Sequence, residues 1–265
     1  MRRSTLWSAI QLNGDVFIEG FLGLTWFPSD DAKRKRDNWE NSVDRIITAL
    51  SKKVSSWAVM KALSDSGHTL VIEPNPVFEC NATTFPDSKQ DAARKGKEAE
   101  DCSKAAKGDN LGTGVGTNSK IVFSPGPFAK TGTCAVAGAG RDADEILFHE
   151  MTHAMRYATG QRNACFEVPF GYRDYEEFVA VVLTNVYSSE TGRSLRKDHS
   201  GYEKMPATTS LYNRQAEKVQ VNLHNPQMFC NWFRPQLENI NKYQRTLVKR
   251  LADCRHITWN PFAYV

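Results

Sequence analysis

No apolar run in the chain approaches the ~18–20 residues needed to span a membrane, and the mean hydropathy is −0.50. The opening MRRSTLWSAIQLNGDVF has two arginines but no unbroken apolar stretch and no small-residue cleavage pattern, so it does not read as a signal peptide. If the protein is secreted, the expectation is a route that ignores such a segment; a cytoplasmic location comes second. None of the six cysteines (Cys80, Cys102, Cys134, Cys165, Cys230, Cys254) forms a CxxC pair, which argues against a cysteine zinc cluster. A dominant charge sign is missing too, with 34 Lys+Arg against 30 Asp+Glu and a net charge of +4. Basic runs such as KRKRDNWE at 33–40 alternate with acids and read as a solvated helix face, so no nucleic-acid partner is expected. No internal repeat is visible.

What remains is globular. The chain has 265 residues, 40 % hydrophobic and 11 % aromatic, enough for one sizeable core or two modest ones. DVFIEGFLGLTWF (15–27) reads as one or two strands. Trp39, Val43, Ile46, Ile47 and Leu50 recur at helical spacing. HTLVIEP (68–74) reads as a strand stopped by proline, and KIVFSPGPF (120–128) as a strand closed by a Pro-Gly turn. Between them, 84–119 is polar and glycine-rich, and is expected to be a long exposed excursion. DYEEFVAVVLTNVYSSETG (174–192) has a helical pattern with acids in its first turn. Leu237, Ile240, Tyr243, Leu247 and Leu251 predict one packing helix over 234–253. The expected class is α+β. For the cysteines, buried free thiols and disulfides both stand, with at least one bridge favoured because Cys80 and Cys102 flank polar sequence.

The stretch carrying the most chemistry is RDADEILFHEMTHAMRYATG (141–160). Asp142 or Asp144 can cap a helix that Gly160 ends. On that helix His149 and His153, four residues apart, share a face, so both imidazoles can reach one zinc ion at ~2.0–2.1 Å. Glu150 points about 100° away from His149. It is therefore free to take a proton from an activated water as general base instead of ligating. With 6 His and 15 Glu, a chance HExxH is expected on the order of 0.01 times per chain. Ile146, Leu147, Met151, Ala154 and Met155 put the helix in an interior, where two unliganded histidines need other partners.

HEMTHA resembles the zinc helix of the zincin metallopeptidases. Positions 156 and 159 are Arg and Thr, so the metzincin continuation is absent. The resemblance then implies a gluzincin-type third ligand: a glutamate on a later helix. YEEF begins 22 residues after His153. Glu176 and Glu177 point in different directions, so one of them coordinates, with Asp174 and Glu167 as weaker substitutes. The clostridial neurotoxin light chains also carry adjacent glutamates here and use the second; that resemblance, with small Ala180 one turn on, implies Glu177. GTGVGTNSKIVFSP, HEMTHAMRYATG, EEFVAVVLTN and GRSLRKDHSGY together resemble the NleD-like effector peptidases of pathogenic bacteria over roughly residues 110–202. Phe-Val-Ala follows the glutamates here, where both families tend to have Arg-Thr.

The resemblance implies a single zincin-like domain: a small mixed sheet, the HExxH helix and a glutamate-bearing helix. It would comprise an N-terminal elaboration (1–110), a metal-site core (111–202) and a C-terminal helical elaboration (203–265). The implied cofactor is Zn2+, held by His149, His153 and Glu177, and the partner is a protein or peptide substrate. Secretion machinery or an immunity protein are further partners of such an effector or toxin. By analogy with the toxins' Arg/Tyr pair, Tyr202 and then His199 of GRSLRKDHSGY are the expected oxyanion donors, with Arg196 beside them. KIVFS is either the substrate-binding edge strand or a buried strand. His68, His224 and His256 lie in no metal spacing, and Asn185 and Tyr187 read as core or capping residues. Two rivals are a zinc amidase or endopeptidase acting on peptidoglycan crosslinks, and a non-enzymatic binding protein stiffened by zinc.

Overall fold

The computed structural model describes residues 2–4, 7–15, 30–75, 80–99, 110–129, 131–134, 138–168, 171–212 and 217–265. The expected strands at 15–27 lie outside these from residue 16 onward. The class is α+β, with a small mixed sheet and several helices.

The sheet has five strands: β1 (Arg2–Arg3), β2 (Ile10–Leu12), β3 (Leu70–Glu73), β4 (Thr83–Pro86) and β5 (Ser119–Val122), in the spatial order β1-β2-β3-β5-β4. β2, β3 and β5 run parallel, while β1 and β4 are antiparallel to their neighbours. The register aligns Ile10 with Leu70 and Ile72 with Ile121. Period-two alternation therefore puts these side chains on one buried face.

KIVFS is thus an interior strand, lying between β3 and the edge strand β4. This corrects the expectation for 84–119, whose beginning is not exposed excursion but sheet. The glycines that made the segment look loop-like allow close backbone packing: a Cβ on Gly116, at φ +85°, would lie 2.1 Å from the Ala158 carbonyl oxygen. Residues 100–109 lie outside the described residues.

Helices cover the buried face. α1 (Asp30–Ser51) starts with Asp30 and Asp31, which suit the helix N-terminus, and buries Trp39, Val43, Ile47 and Leu50. The Trp39 indole donates to the Phe123 carbonyl at 3.0 Å, tying the helix to the residue just after β5. α2 (Val54–Asp65) follows; α3 (Lys89–Ala92) is a single turn. α4 (Ala143–Ala158) carries the HExxH sequence and packs on α2, β4, β5 and α5 (Tyr175–Glu190). No helix among the described residues is long and apolar enough to cross a membrane.

The C-terminal region is not purely helical. β6 (Thr209–Tyr212) and β7 (Lys218–Val221) form a separate two-stranded ribbon, and α6 (Pro226–Trp232) begins with Asn225 as cap and proline at its start. The single helix expected over 234–253 is two, α7 (Arg234–Tyr243) and α8 (Arg245–Ala252). The break falls at Gln244, whose backbone leaves the helical region at φ −131°, ψ 46°. Its buried side chain accepts from Arg156 at 3.3 Å, so a polar tertiary contact overrides the apolar stripe. The stripe otherwise buries Leu237, Ile240, Leu247 and Leu251, while Tyr243 is exposed.

One contiguous core takes in residues from Ile10 to Phe262. On α5, Phe178 is fully buried against Phe229 and Phe233, its centroid 6.4 and 5.7 Å from theirs. Phe178→Ala is expected to lower the unfolding free energy by about 3–5 kcal/mol in a denaturant titration. A loss below about 1 kcal/mol would mean that this cluster does not hold α5 in place.

The cysteine expectation is met in part. Cys80 and Cys134 form a disulfide, Cys165 is also disulfide-bonded, and Cys230 and Cys254 are buried free thiols. Cys102 lies outside the described residues.

Candidate metal centre

Local sequence accounts for α4. Asp142 is its N-cap and its backbone N–H donates to Glu145 Oε2 at 3.2 Å. The helix ends at Gly160 (φ +62°), where a Cβ would meet the Gly114 carbonyl carbon at 2.4 Å. Ile146, Leu147, Met151, Ala154 and Met155 face the core. That leaves His149 and His153 on the face toward α5. α5 is capped by Asp174, whose carboxylate accepts from the Glu177 N–H at 3.0 Å and fixes the first turn.

Four donors meet here. Glu177 Oε2 lies 3.1 Å from His149 Nε2, 3.5 Å from His153 Nε2 and 3.0 Å from His199 Nε2, and the two α4 imidazole nitrogens are 3.3 Å apart. A tetrahedral site with bonds of ~2.0–2.1 Å has donor–donor edges of ~3.3 Å. The observed separations bracket that value. Three imidazoles and a carboxylate are also a donor set that suits zinc. The residues present fit a metal. Among the described residues, the clusters close enough to hold one include His149–Glu177–His199 and His149–Glu150–His153 besides the His149–His153–Glu177 set.

The adjacent glutamates have separate partners. Glu177 faces the histidines, and its other oxygen takes the exposed Arg173 guanidinium. Glu176 is turned to buried Arg156, which donates to both of its oxygens, and it accepts the Asn163 N–H at 2.7 Å. Glu167 contributes only its backbone carbonyl, to Gln236.

Burial holds the Glu150 carboxyl up at about 7, against the opposing pull of the His153 charge and the Thr84 hydroxyl, which donates to Glu150 Oε2 at 2.6 Å. Desolvation disfavours the His153 imidazolium, but the Glu177 carboxylate, with Glu150 and Glu176 behind it, outweighs burial and lifts the group to about 9. For His149 burial wins, and the ring falls to about 4. Without a metal, the cluster thus holds a proton on His153 at neutral pH. Nδ1 of each α4 histidine is buried and meets no acceptor among the described residues.

A cavity of about 200 Å³ opens onto these groups, walled on one side by Thr83 and Thr84 of β4 and on the other by Arg173 and His199.

Compared with protein-family models, with curated proteins and with solved structures, the chain matches none.

Of the expected oxyanion donors, only His199 lines the cavity. Tyr202 is held between Arg141 and Arg196, whose guanidinium carbons sit 4.1 and 4.4 Å from its ring centroid. Stacking on two cations thus holds Tyr202 aside, while the His199 ring reaches the cavity. Asn185 carries more than core packing, because its amide bonds both the N–H and the carbonyl of Arg196 at 2.7 Å and docks the His199 segment on α5. Tyr187 donates to Asp144 at 2.5 Å. His68, His224 and His256 stand apart from the site, as expected: the rings of the first two meet backbone carbonyls and that of His256 faces Glu190.

The sequence reading missed Thr84, Tyr157 and Arg173. Tyr157 lies four residues after His153, on the same helical face, and so carried a helical-spacing signal; Arg173 precedes the Asp174 cap of α5 and carried none. Thr84 carried none, because only strand pairing brings it to Glu150.

Proposed function

We propose that the protein is a zinc-dependent peptidase, zincin-like and of the gluzincin type, acting on protein or peptide substrates. One observation carries the reading: two helices converge His149, His153 and Glu177 within 3.5 Å of one another, with Glu150 beside them on the same cavity. His149, His153 and Glu177 would hold the ion. When bound, zinc supplies a Lewis acid that polarises a carbonyl and acidifies water.

The remaining chemistry belongs to the chain. Glu150 Oε accepts a proton and returns it to the departing amine, a task suited to a carboxyl that titrates at about 7. Thr84 orients that carboxyl through its hydroxyl. The edge strand β4, which forms one cavity wall, offers an extended peptide a ladder to join by strand addition, and this favours a peptide over a smaller amide. Asn185 and Arg196 keep the His199 segment over the cavity. The Cys80–Cys134 disulfide fits a secreted protein, since such bonds persist in oxidising compartments. An effector-like or toxin role follows from the resemblance of the motifs.

The test is hydrolysis of an unfolded protein such as casein, expected to stop with 1,10-phenanthroline and to return with zinc. Calorimetric zinc titration at pH 7 in buffers of different ionisation enthalpy is expected to show release of roughly one proton, because His153 is protonated below about 9 and must shed that proton to ligate. Cleavage that survives complete metal removal would end the proposal.

A further inference from the structure

The cluster around Glu177 contains one donor more than the peptidase reading uses. His199 Nε2 lies 3.0 Å from Glu177 Oε2, nearer than His149 at 3.1 Å or His153 at 3.5 Å. The His199 ring stacks on that of His149 with centroids 6.0 Å apart and 26° between planes. The ligand atoms of His149, Glu177 and His199 all lie within 4.8 Å of one another. A group poised only to donate to a substrate oxygen would point its Nε2 into open cavity. This one points at the carboxylate oxygen shared by the other two imidazoles, along an edge that matches the ~3.3 Å of a tetrahedral site.

We infer that His199 is a fourth metal donor in the resting protein, completing a sphere of three imidazoles and one carboxylate, and that its side chain is the displaceable member of the set. The inference rests on the zinc reading of the cluster.

The second half of the inference comes from how His199 is held. Its backbone is fixed: its N–H donates to the Gly171 carbonyl at 3.1 Å, and its carbonyl accepts from Arg196 at 3.0 Å. Arg196 is in turn bracketed by Asn185 at 2.7 Å on both sides. The side chain is not fixed. It is 30 % exposed, against 10 % for His149, 8 % for His153 and 5 % for Glu177. Rotation about its own bonds takes the ring toward solvent without moving the chain, whereas the rings of His149 and His153 are enclosed between α4 and α5. A zinc site with four protein donors is closed, and a catalytic one keeps a position open. The peptidase therefore rests shut, and the His199 ring is its gate.

X-ray absorption at the zinc edge tests this, because imidazole rings give a distinct outer-shell signal. The zinc-loaded parent is expected to show three imidazoles, and His199→Ala two. In chelator competition, the variant's zinc affinity should fall about tenfold or more, since even residues that only orient metal ligands are worth that much. Added acetohydroxamate should reduce the parent from three imidazoles to two. His199→Gln takes the place of the alanine variant if circular dichroism shows that the latter is misfolded.

Two imidazoles in a zinc-loaded parent would overturn the inference and leave the peptidase reading standing. Three that persist in the presence of acetohydroxamate would overturn the gate and mark a structural zinc. A parent that binds no zinc at all would overturn the peptidase reading itself.

Discussion

Glu150→Gln is expected to bind zinc as the parent does and to cleave peptide bonds about a hundredfold to ten-thousandfold more slowly, the usual range for a lost general base. The substitution is nearly isosteric. The Gln carbonyl can still accept the Thr84 hydroxyl that now reaches Glu150 at 2.6 Å, and Glu150 is not one of the donors gathered on Glu177 Oε2. Metal content measured by mass spectrometry beside the hydrolysis rate separates the two roles. A variant with full zinc and full hydrolytic activity would overturn the assignment of Glu150 as general base.

A second readout follows from the same residue. A carboxyl whose folded value, about 7, lies above the ordinary 4.5 destabilises the fold once pH exceeds 4.5, and the cost grows until about pH 7. Glu150→Gln removes that cost, which is at most of order 3 kcal/mol. The metal-free variant should therefore melt at a higher temperature than the metal-free parent at pH 7 and match it near pH 4.

The neighbouring glutamates should fail in opposite ways. Glu177→Ala is expected to leave the fold intact and to drop zinc from near one per chain to a trace, because the shared oxygen of the cluster is gone. Glu176→Ala should do the reverse. It strands Arg156, only 3 % exposed, without its carboxylate, and breaking a buried pair this way costs about 3–5 kcal/mol. The molecules that do fold should still bind zinc. Thermal unfolding and metal analysis of both variants check the assignment, and a folded Glu176→Ala protein without zinc would reverse it. Arg156 holds the Glu176 carboxyl below its usual range in spite of burial. Its contribution is therefore present above pH 4.5 and fades as pH falls through the depressed value, so the parent should lose more stability in acid than the variant.

The two glutamates also mark how far the sequence could be read. α4 was legible because its cap, its i, i+4 histidines and its stop at Gly160 are all local. The choice between Glu176 and Glu177 depends on Arg156, twenty residues away on another helix, and no spacing within YEEF contains that information. Resemblance pointed to Glu177, and the geometry brings that residue to the histidines. The reading ranked Tyr202 before His199, whereas it is His199 that lines the cavity, because a loop's register does not tell which side chain turns inward. The edge strand was hidden for a similar reason: TTFP has β-favouring residues but is too short to show alternation and ends on proline, and it becomes a strand by pairing with SKIV, thirty-odd residues later. At 234–253 the apolar stripe ran unbroken through Gln244, whose contact with Arg156 no periodicity encodes.

The Arg156–Glu176 pair has one more consequence. It joins α4 to α5 from inside, so neither helix can slide by a turn along the other without carrying a bare charge through the hydrocarbon-like interior. The relative register of the two helices is latched by groups that stand outside the candidate metal donors. Many small zinc domains collapse when stripped; if the cluster holds zinc, this latch is expected to keep the donors aligned without it, so that the metal could leave and return without refolding.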